Sequence, residues 1–193
     1  ANLPSQVGNS NIAAAFDVIQ YLTIIQASQS ITFDALADKA FDDPDFDLTG
    51  SSTSGLSVSY VSSNPSVATV SGNTVTIFGF GSTNITASQS GNANISAASD
   101  VVQSLTVNQA SQTITFDALA VKTFGDADFD LSATGGASGN AVTLTSSDPT
   151  VATISGNTVT IIGAGSTNIT ASQTGSVNYA AAMDVVQQLT IQK

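Results

Sequence analysis

The sequence predicts an all-β chain of tandem two-sheet sandwiches, and three observations carry that prediction. The stretch 62–87, SSNPSVATVSGNTVTIFGFGSTNITA, returns as 146–171, SSDPTVATISGNTVTIIGAGSTNITA, identical at 21 of 26 positions, so the chain is built from repeats. Apolar residues alternate with Thr and Ser at period two rather than at the helical period. Gly, Pro and Asn punctuate these short runs at turn spacing, the pattern of a sandwich of about seven strands.

Each element follows from that reading. Within the duplicated stretch, Ala68 and Val70 share a face with Val75 and Ile77, while Thr69, Thr74 and Thr76 take the other. Gly72 and Asn73 between them suit a two-residue hairpin. A third strand runs over 82–88. Upstream, 29–35 points Ile31 and Phe33 inward, 45–49 carries Phe46 and Leu48, and 56–61 aligns Leu56, Val58 and Tyr60. The segment 100–108 closes the sandwich with Leu105 and Val107; Gln103 falls in phase with them, which predicts a bulge near Val101 and Val102 or an exposed edge.

The repeat boundaries follow from three related segments beginning at Gln6, Gln89 and Gln173. Residues 6–33 match 89–116 at an offset of 83, and 89–109 matches 173–193 at an offset of 84. The added residue lies in the Gly/Ser/Ala-rich stretch GGASGN (135–140), where insertion is expected to be cheap. The chain therefore divides into the closing strand segment of a preceding or partner repeat (1–26), repeat one (27–109) and repeat two (110–193). Only 108–113 joins the last strand of repeat one to the first of repeat two, so the repeats are expected to stack end to end as a stiff rod.

Residues 1–26 correspond to 168–193 at a constant offset of 167. Phe16, Val18, Ile19, Tyr21, Leu22, Ile24 and Ile25 form a strongly apolar strand without the rest of its repeat, and a lone strand is not stable in water. These residues are expected to pair with strands of an upstream repeat or of another subunit that receives a donated strand.

Composition narrows the function classes. The 193 residues carry a net charge of −11; all 14 acids are Asp, and the only bases are Lys39, Lys122 and Lys193. Without a basic patch, nucleic acid and anionic lipid surfaces are disfavoured as partners. No apolar run reaches the roughly 18 residues of a spanning helix, so no membrane insertion is expected. The N-terminus lacks the basic start of a signal peptide, which leaves a cleaved leader or a window from a longer chain. His, Cys, Glu, Arg and Trp are absent, which removes disulfides, thiolate metal sites and most general bases and nucleophiles. The chain is expected not to be an enzyme. Its Thr-, Ser-, Asn- and Gln-rich, Lys-poor surface suits an exported bacterial protein.

The order SSNPSVATVSGNTVTIFGFGSTNITASQSGNANI, preceded by FDLTGSSTSGLSVSY and followed by a closing strand ending SLTV, resembles the bacterial immunoglobulin-like repeats of group 2 and the related MBG-type repeats. The resemblance covers essentially the whole chain; one departure is Asn140, which stands where repeat one has Leu56. It implies immunoglobulin-like sandwiches in a large surface or secreted protein, serving as stalk, spacer, adhesin shaft or fibre. It carries no shared catalytic residues.

Calcium is the strongest chemical signal. Asp42, Asp43, Asp45 and Asp47, with their counterparts Asp126, Asp128 and Asp130, put carboxylates at alternate positions near a repeat end, where a hard cation could stiffen the joint. Against this, alternate positions on a strand do not wrap an ion, and a solvated acidic edge that blocks edge-to-edge pairing explains the same pattern. A glycan site is disfavoured because the aromatics suited to a platform are only Tyr21, Tyr60 and Tyr179; Tyr60 is in core phase, and the other two are expected at repeat junctions.

The expected function is a non-enzymatic structural segment of a bacterial extracellular fibre or surface stalk. Its partners are copies of itself or adjacent repeats, end to end, with assembly through N-terminal strand donation as the specific form. The alternative is a calcium-stiffened spacer of an adhesin whose tip lies elsewhere; otherwise no cofactor is expected.

Overall fold

The computed structural model describes Asn11, Ala13, Phe16 and residues 18–193. Strands and turns account for all regular structure among them; no helix is present. The chain forms two immunoglobulin-like β-sandwiches. Repeat one contains β1 (Ile31–Thr32), β2 (Lys39–Ala40), β3 (Phe46–Asp47), β4 (Ser51–Ser52), β5 (Ser59–Ser62), β6 (Ala68–Ser71), β7 (Thr74–Ile77), β8 (Gly81–Ser88) and β9 (Val101–Asn108). Repeat two reproduces them as β10 (Thr115–Phe116), β11 (Lys122–Thr123), β12 (Phe129–Asp130), β13 (Ala133–Thr134), β14 (Thr143–Ser146), β15 (Ala152–Ser155), β16 (Thr158–Ile161), β17 (Gly165–Ser172) and β18 (Val185–Gln192).

Each sandwich sets a four-stranded sheet, β2-β9-β8-β5 or β11-β18-β17-β14, against a three-stranded one, β3-β7-β6 or β12-β16-β15. A short two-stranded ladder, β1 with β4 or β10 with β13, completes each. The hairpin β6–β7 pairs Val70 with Val75 and Ala68 with Ile77, as the alternation demands. Gly72 takes φ 64° while Asn73 stays at negative φ, so the turn needs Gly at its first central position.

Two separate cores result. In repeat one, Val75, Ile85, Leu105 and Val107 are fully buried; in repeat two, Val159, Ile169 and Leu189 are, with Ile191 close behind. Tyr60 packs on Phe33 with ring centroids 5.4 Å apart, and its hydroxyl donates to the Gly50 carbonyl at 3.1 Å. The sequence places it correctly on the core side.

The closing strand differs from expectation. β8 and β9 pair without interruption from Gly81↔Val107 to Ala87↔Val101, so there is no bulge at 101–102. Gln103 instead points inward, half-buried, and its Nε2 donates to the Phe33 carbonyl at 2.7 Å; Gln187 does the same to Phe116 at 2.8 Å. The glutamine satisfies a carbonyl of the opening segment that the short β1–β4 ladder leaves unpaired, which is why a polar residue sits in core phase.

Two short strands escaped the alternation. β2 pairs in parallel with β9, Lys39 opposite Val107, and its lysine covers the Phe46 ring at 4.6 Å; Lys122 covers Phe129 at 4.5 Å. The aliphatic stem of each lysine screens an aromatic face while the ammonium stays wet.

Candidate functional site

Several of the carboxylates make structural hydrogen bonds. Asp45 and Asp47 accept hydrogen bonds from Thr76 and Thr74 across the sheet, at 2.9 and 2.7 Å. Asp128 and Asp130 do the same for Thr160 and Thr158, at 2.9 and 2.6 Å. Asp43 and Asp126 cap their own turns by accepting from the backbone N–H of Ala40 and Thr123, both at 2.9 Å. Of the residues proposed as calcium ligands, Asp43, Asp45, Asp47, Asp126, Asp128 and Asp130 are thus each engaged in a separate hydrogen bond, and Asp42 is exposed. Among the described residues no group of three or more acidic side chains could hold a metal ion. A shallow, open groove of about 350 Å³ lies beside Leu119, Lys122 and Phe129.

The joint between the repeats is the most specific surface. Tyr179 of repeat two meets Phe41 of repeat one edge to face, with centroids 5.5 Å apart and planes at 80°. Beside it, the Phe80 N–H donates to Asn178 Oδ1 at 3.0 Å. The 176–180 loop that presents these two residues is tied to the inter-repeat connection: Ala110 N–H donates to the Asn178 carbonyl and Ala180 N–H to the Ala110 carbonyl, both at 2.9 Å. Gln109 Nε2 adds bonds to the Ser176 and Val177 carbonyls at 2.9 and 3.1 Å. Tyr179 thus lies at the repeat junction as expected; Tyr21 is 92% exposed.

The same presenting loop exists at the front of repeat one. Ala27 N–H donates to the Asn94 carbonyl and Ser96 N–H to the Ala27 carbonyl, both at 2.9 Å, while Gln26 Nε2 reaches the Asn92 carbonyl at 2.8 Å. Asn94 there is exposed, whereas its equivalent Asn178 is half-buried by the joint.

The apolar N-terminal segment is the other notable surface. Phe16, Val18, Ile19, Tyr21, Leu22, Ile24 and Ile25 are 73–97% exposed and enter neither core. The rest of 1–26 that belongs to this expectation (1–10, 12, 14, 15 and 17) lies outside the described residues.

Sequence reasoning missed a pair of buried glutamines. Gln112 and Gln173, 9% and 4% exposed, clamp the GGASGN loop: Gln112 Oε1 accepts from Ser138 N–H at 3.0 Å, and Gln173 Oε1 accepts from Gly136 N–H at 2.7 Å. A Cβ on Gly136 would lie 2.6 Å from the Gln112 Cβ, so the loop is tightly packed there, whereas its Gly139 has open space around it. Asn140, the departure from Leu56, donates to the Gly175 carbonyl at 2.8 Å and ties the same loop to its neighbour.

No family model and no curated protein matches the chain. Solved structures similar to it include domains 1–6 of the surface layer protein SbsC, at 17% identity and TM-score 0.36, covering 96% of this chain and 31% of that one. Drosophila N-cadherin EC1-4 matches at 11% identity and TM-score 0.35, covering 87% of this chain and 50% of that one. The D00-D0 domain of intimin matches at 14% identity and TM-score 0.32, covering 82% and 98%. The chain thus spans about a third of the first of these and half of the second. At such scores the likenesses carry no argument about function.

Proposed function

We propose that the chain is a non-enzymatic structural segment of an extracellular bacterial fibre or surface stalk, of the group 2 or MBG-type repeat kind, in which residues 18–25 complete a sandwich other than the two described. The observation that carries this reading is the exposure of six large apolar side chains on the segment 18–25, whose sequence, VIQYLTII, corresponds to the closing strands β9 (VVQSLTVN) and β18 (VVQQLTIQ). In both sandwiches that strand is central, pairing in parallel with one neighbour and antiparallel with another, and it contributes fully buried leucines. Burying Leu22 and Ile24 in the same way would remove about 1.5–3 kcal/mol each of exposure cost. A chain of sandwiches linked by such strands is a heterologous, non-closing assembly, which grows into a fibre rather than a ring.

The test uses the full chain with Leu22 and Ile24 both replaced by Asp, which touches neither core. The parent is expected to associate with rising concentration in sedimentation velocity, and the double variant to remain monomeric with an unchanged Tm. Identical sedimentation of the two proteins would contradict the reading.

A further inference from the structure

The joint inside the chain is a template for a joint between chains. In it, the rear pole of repeat one, Phe41 with Phe80, receives the Asn178 and Tyr179 loop, and that loop is held by the connection that immediately follows β9. Repeat two carries the equivalent rear pole as Phe124 and Ala164, by offsets of 83 and 84. Phe124 there is 57% exposed, whereas its counterpart Phe41, beneath Tyr179, is half-buried. The matching front, Asn94 and Ile95, is preassembled on Gln26 and Ala27 and directly follows residues 18–25.

Reproducing that joint between two copies has a geometric consequence. The strand that leads into the presenting connection must run where the receiving repeat keeps its own closing strand, which in repeat two is the place of β18 between β11 and β17. Residues 18–25 fit this place at every core-facing position. β18 turns Val185, Gln187, Leu189 and Ile191 inward, and Val18, Gln20, Leu22 and Ile24 are the same four residues in the same phase. Repeat one has Val107 where these have Ile, and its rear pole is already occupied by repeat two.

We propose that repeat two accepts a second copy of this chain by strand exchange: the incoming 18–25 replaces β18 while the incoming Asn94 and Ile95 seat on Phe124 and Ala164. This deepens the reading of 18–25 as an assembly strand and rests on it. Because the inward residues are identical, the strand swap is nearly neutral at the core, and the added joint tips the balance. Outward, the incoming strand brings Tyr21 and Ile25 where β18 has Gln188 and Gln192, residues better suited to a strand.

Site-specific crosslinking tests it, since the chain has no cysteine of its own. In β18, Gln188 stands opposite Asn168, and residue 21 takes the Gln188 position in the exchanged strand. A full chain carrying Tyr21→Cys is mixed with one carrying Asn168→Cys under mild oxidation, and in parallel with one carrying Asn84→Cys, the same outward position of repeat one opposite Ser104. A covalent dimer through 168 and not through 84 is expected, and adding Phe124→Asp to the acceptor should cut its yield about tenfold, the lower range for losing the burial of one Phe side chain. Absence of the 21–168 dimer, or equal dimer through 84, overturns the exchange. If the Leu22 and Ile24 carboxylates abolish association while no 21–168 dimer forms, the acceptor assigned here is wrong and the assembly role of the strand stands. If those carboxylates change nothing, that role itself falls.

Discussion

Gln112 and Gln173 illustrate how single polar side chains hold repeat two together. Each is buried and each satisfies loop backbone that would otherwise be unpaired, Gln112 also donating to the Ala180 carbonyl at 2.8 Å and Gln173 to the Asn140 carbonyl at 2.6 Å. Gln173→Ala strands the Gly136 N–H and the Asn140 carbonyl, so thermal or denaturant unfolding should register a loss of about 1–3 kcal/mol. A variant as stable as the parent would show that the loop is not clamped. Asp148 provides a second test with a built-in control. Its carboxylate accepts from the Thr150 hydroxyl at 2.7 Å and then from its N–H at 2.9 Å, and these bonds hold its pKa below the ordinary 3.8. Its folded-state pKa is depressed, so the contribution to stability is present above pH 3.8 and is lost as pH falls through the folded value. Asn64 holds the same place in repeat one, with Oδ1 accepting from the Ser66 hydroxyl at 2.6 Å. Asp148→Asn should therefore flatten the acid limb of the stability–pH curve below pH 3.8 without altering it near neutrality. An unchanged acid limb would contradict the assignment.

At the scale of the strand, β9 and β18 are the elements on which each sandwich depends, because each pairs on both edges and buries its leucine completely. Leu189→Ala should cost about 2–5 kcal/mol of unfolding free energy, and Leu105→Ala a similar amount. The acidic strands β3 and β12 make the opposite prediction. Their carboxylates are engaged by threonine hydroxyls, and no group of three or more acids among the described residues could hold a metal ion, so neither added calcium nor EDTA should shift the Tm. A calcium-dependent rise of more than a few degrees would restore the idea of a stiffening ion. Strands with clean alternation were legible in the sequence, the β6–β7 hairpin best of all, because Val70, Val75 and the Gly72 turn specify one register. The short ladders at Lys39–Ala40 and Ser51–Ser52 were not, since two residues give no period and their pairing depends on distant partners. Gln103 was read as a defect for a similar reason: its phase was visible, but the Phe33 carbonyl that it serves lies 70 residues away. The tie between GGASGN and Gln173 was hidden in the same way, because composition alone marks such a loop as loose.

The molecule as a whole is organised by repetition of one joint. Loops at 91–96 and 175–180 are built alike, one fastened to Gln26 and Ala27 and the other to Gln109 and Ala110 after β9, and the second already seats on its neighbour through Tyr179 and Asn178. The first lies beside an apolar segment whose large side chains are exposed. The offset of 167 between the two ends made their equivalence legible in the sequence, whereas the aromatic contact between Phe41 and Tyr179 joins residues too far apart for any spacing rule. Hydrogen–deuterium exchange on the assembled protein tests the central claim most directly. Amides of 18–25 should be protected to the degree of 101–108 in the assembly and exchange freely after dilution to monomer. Free exchange across 18–25 within the assembled material would contradict the account.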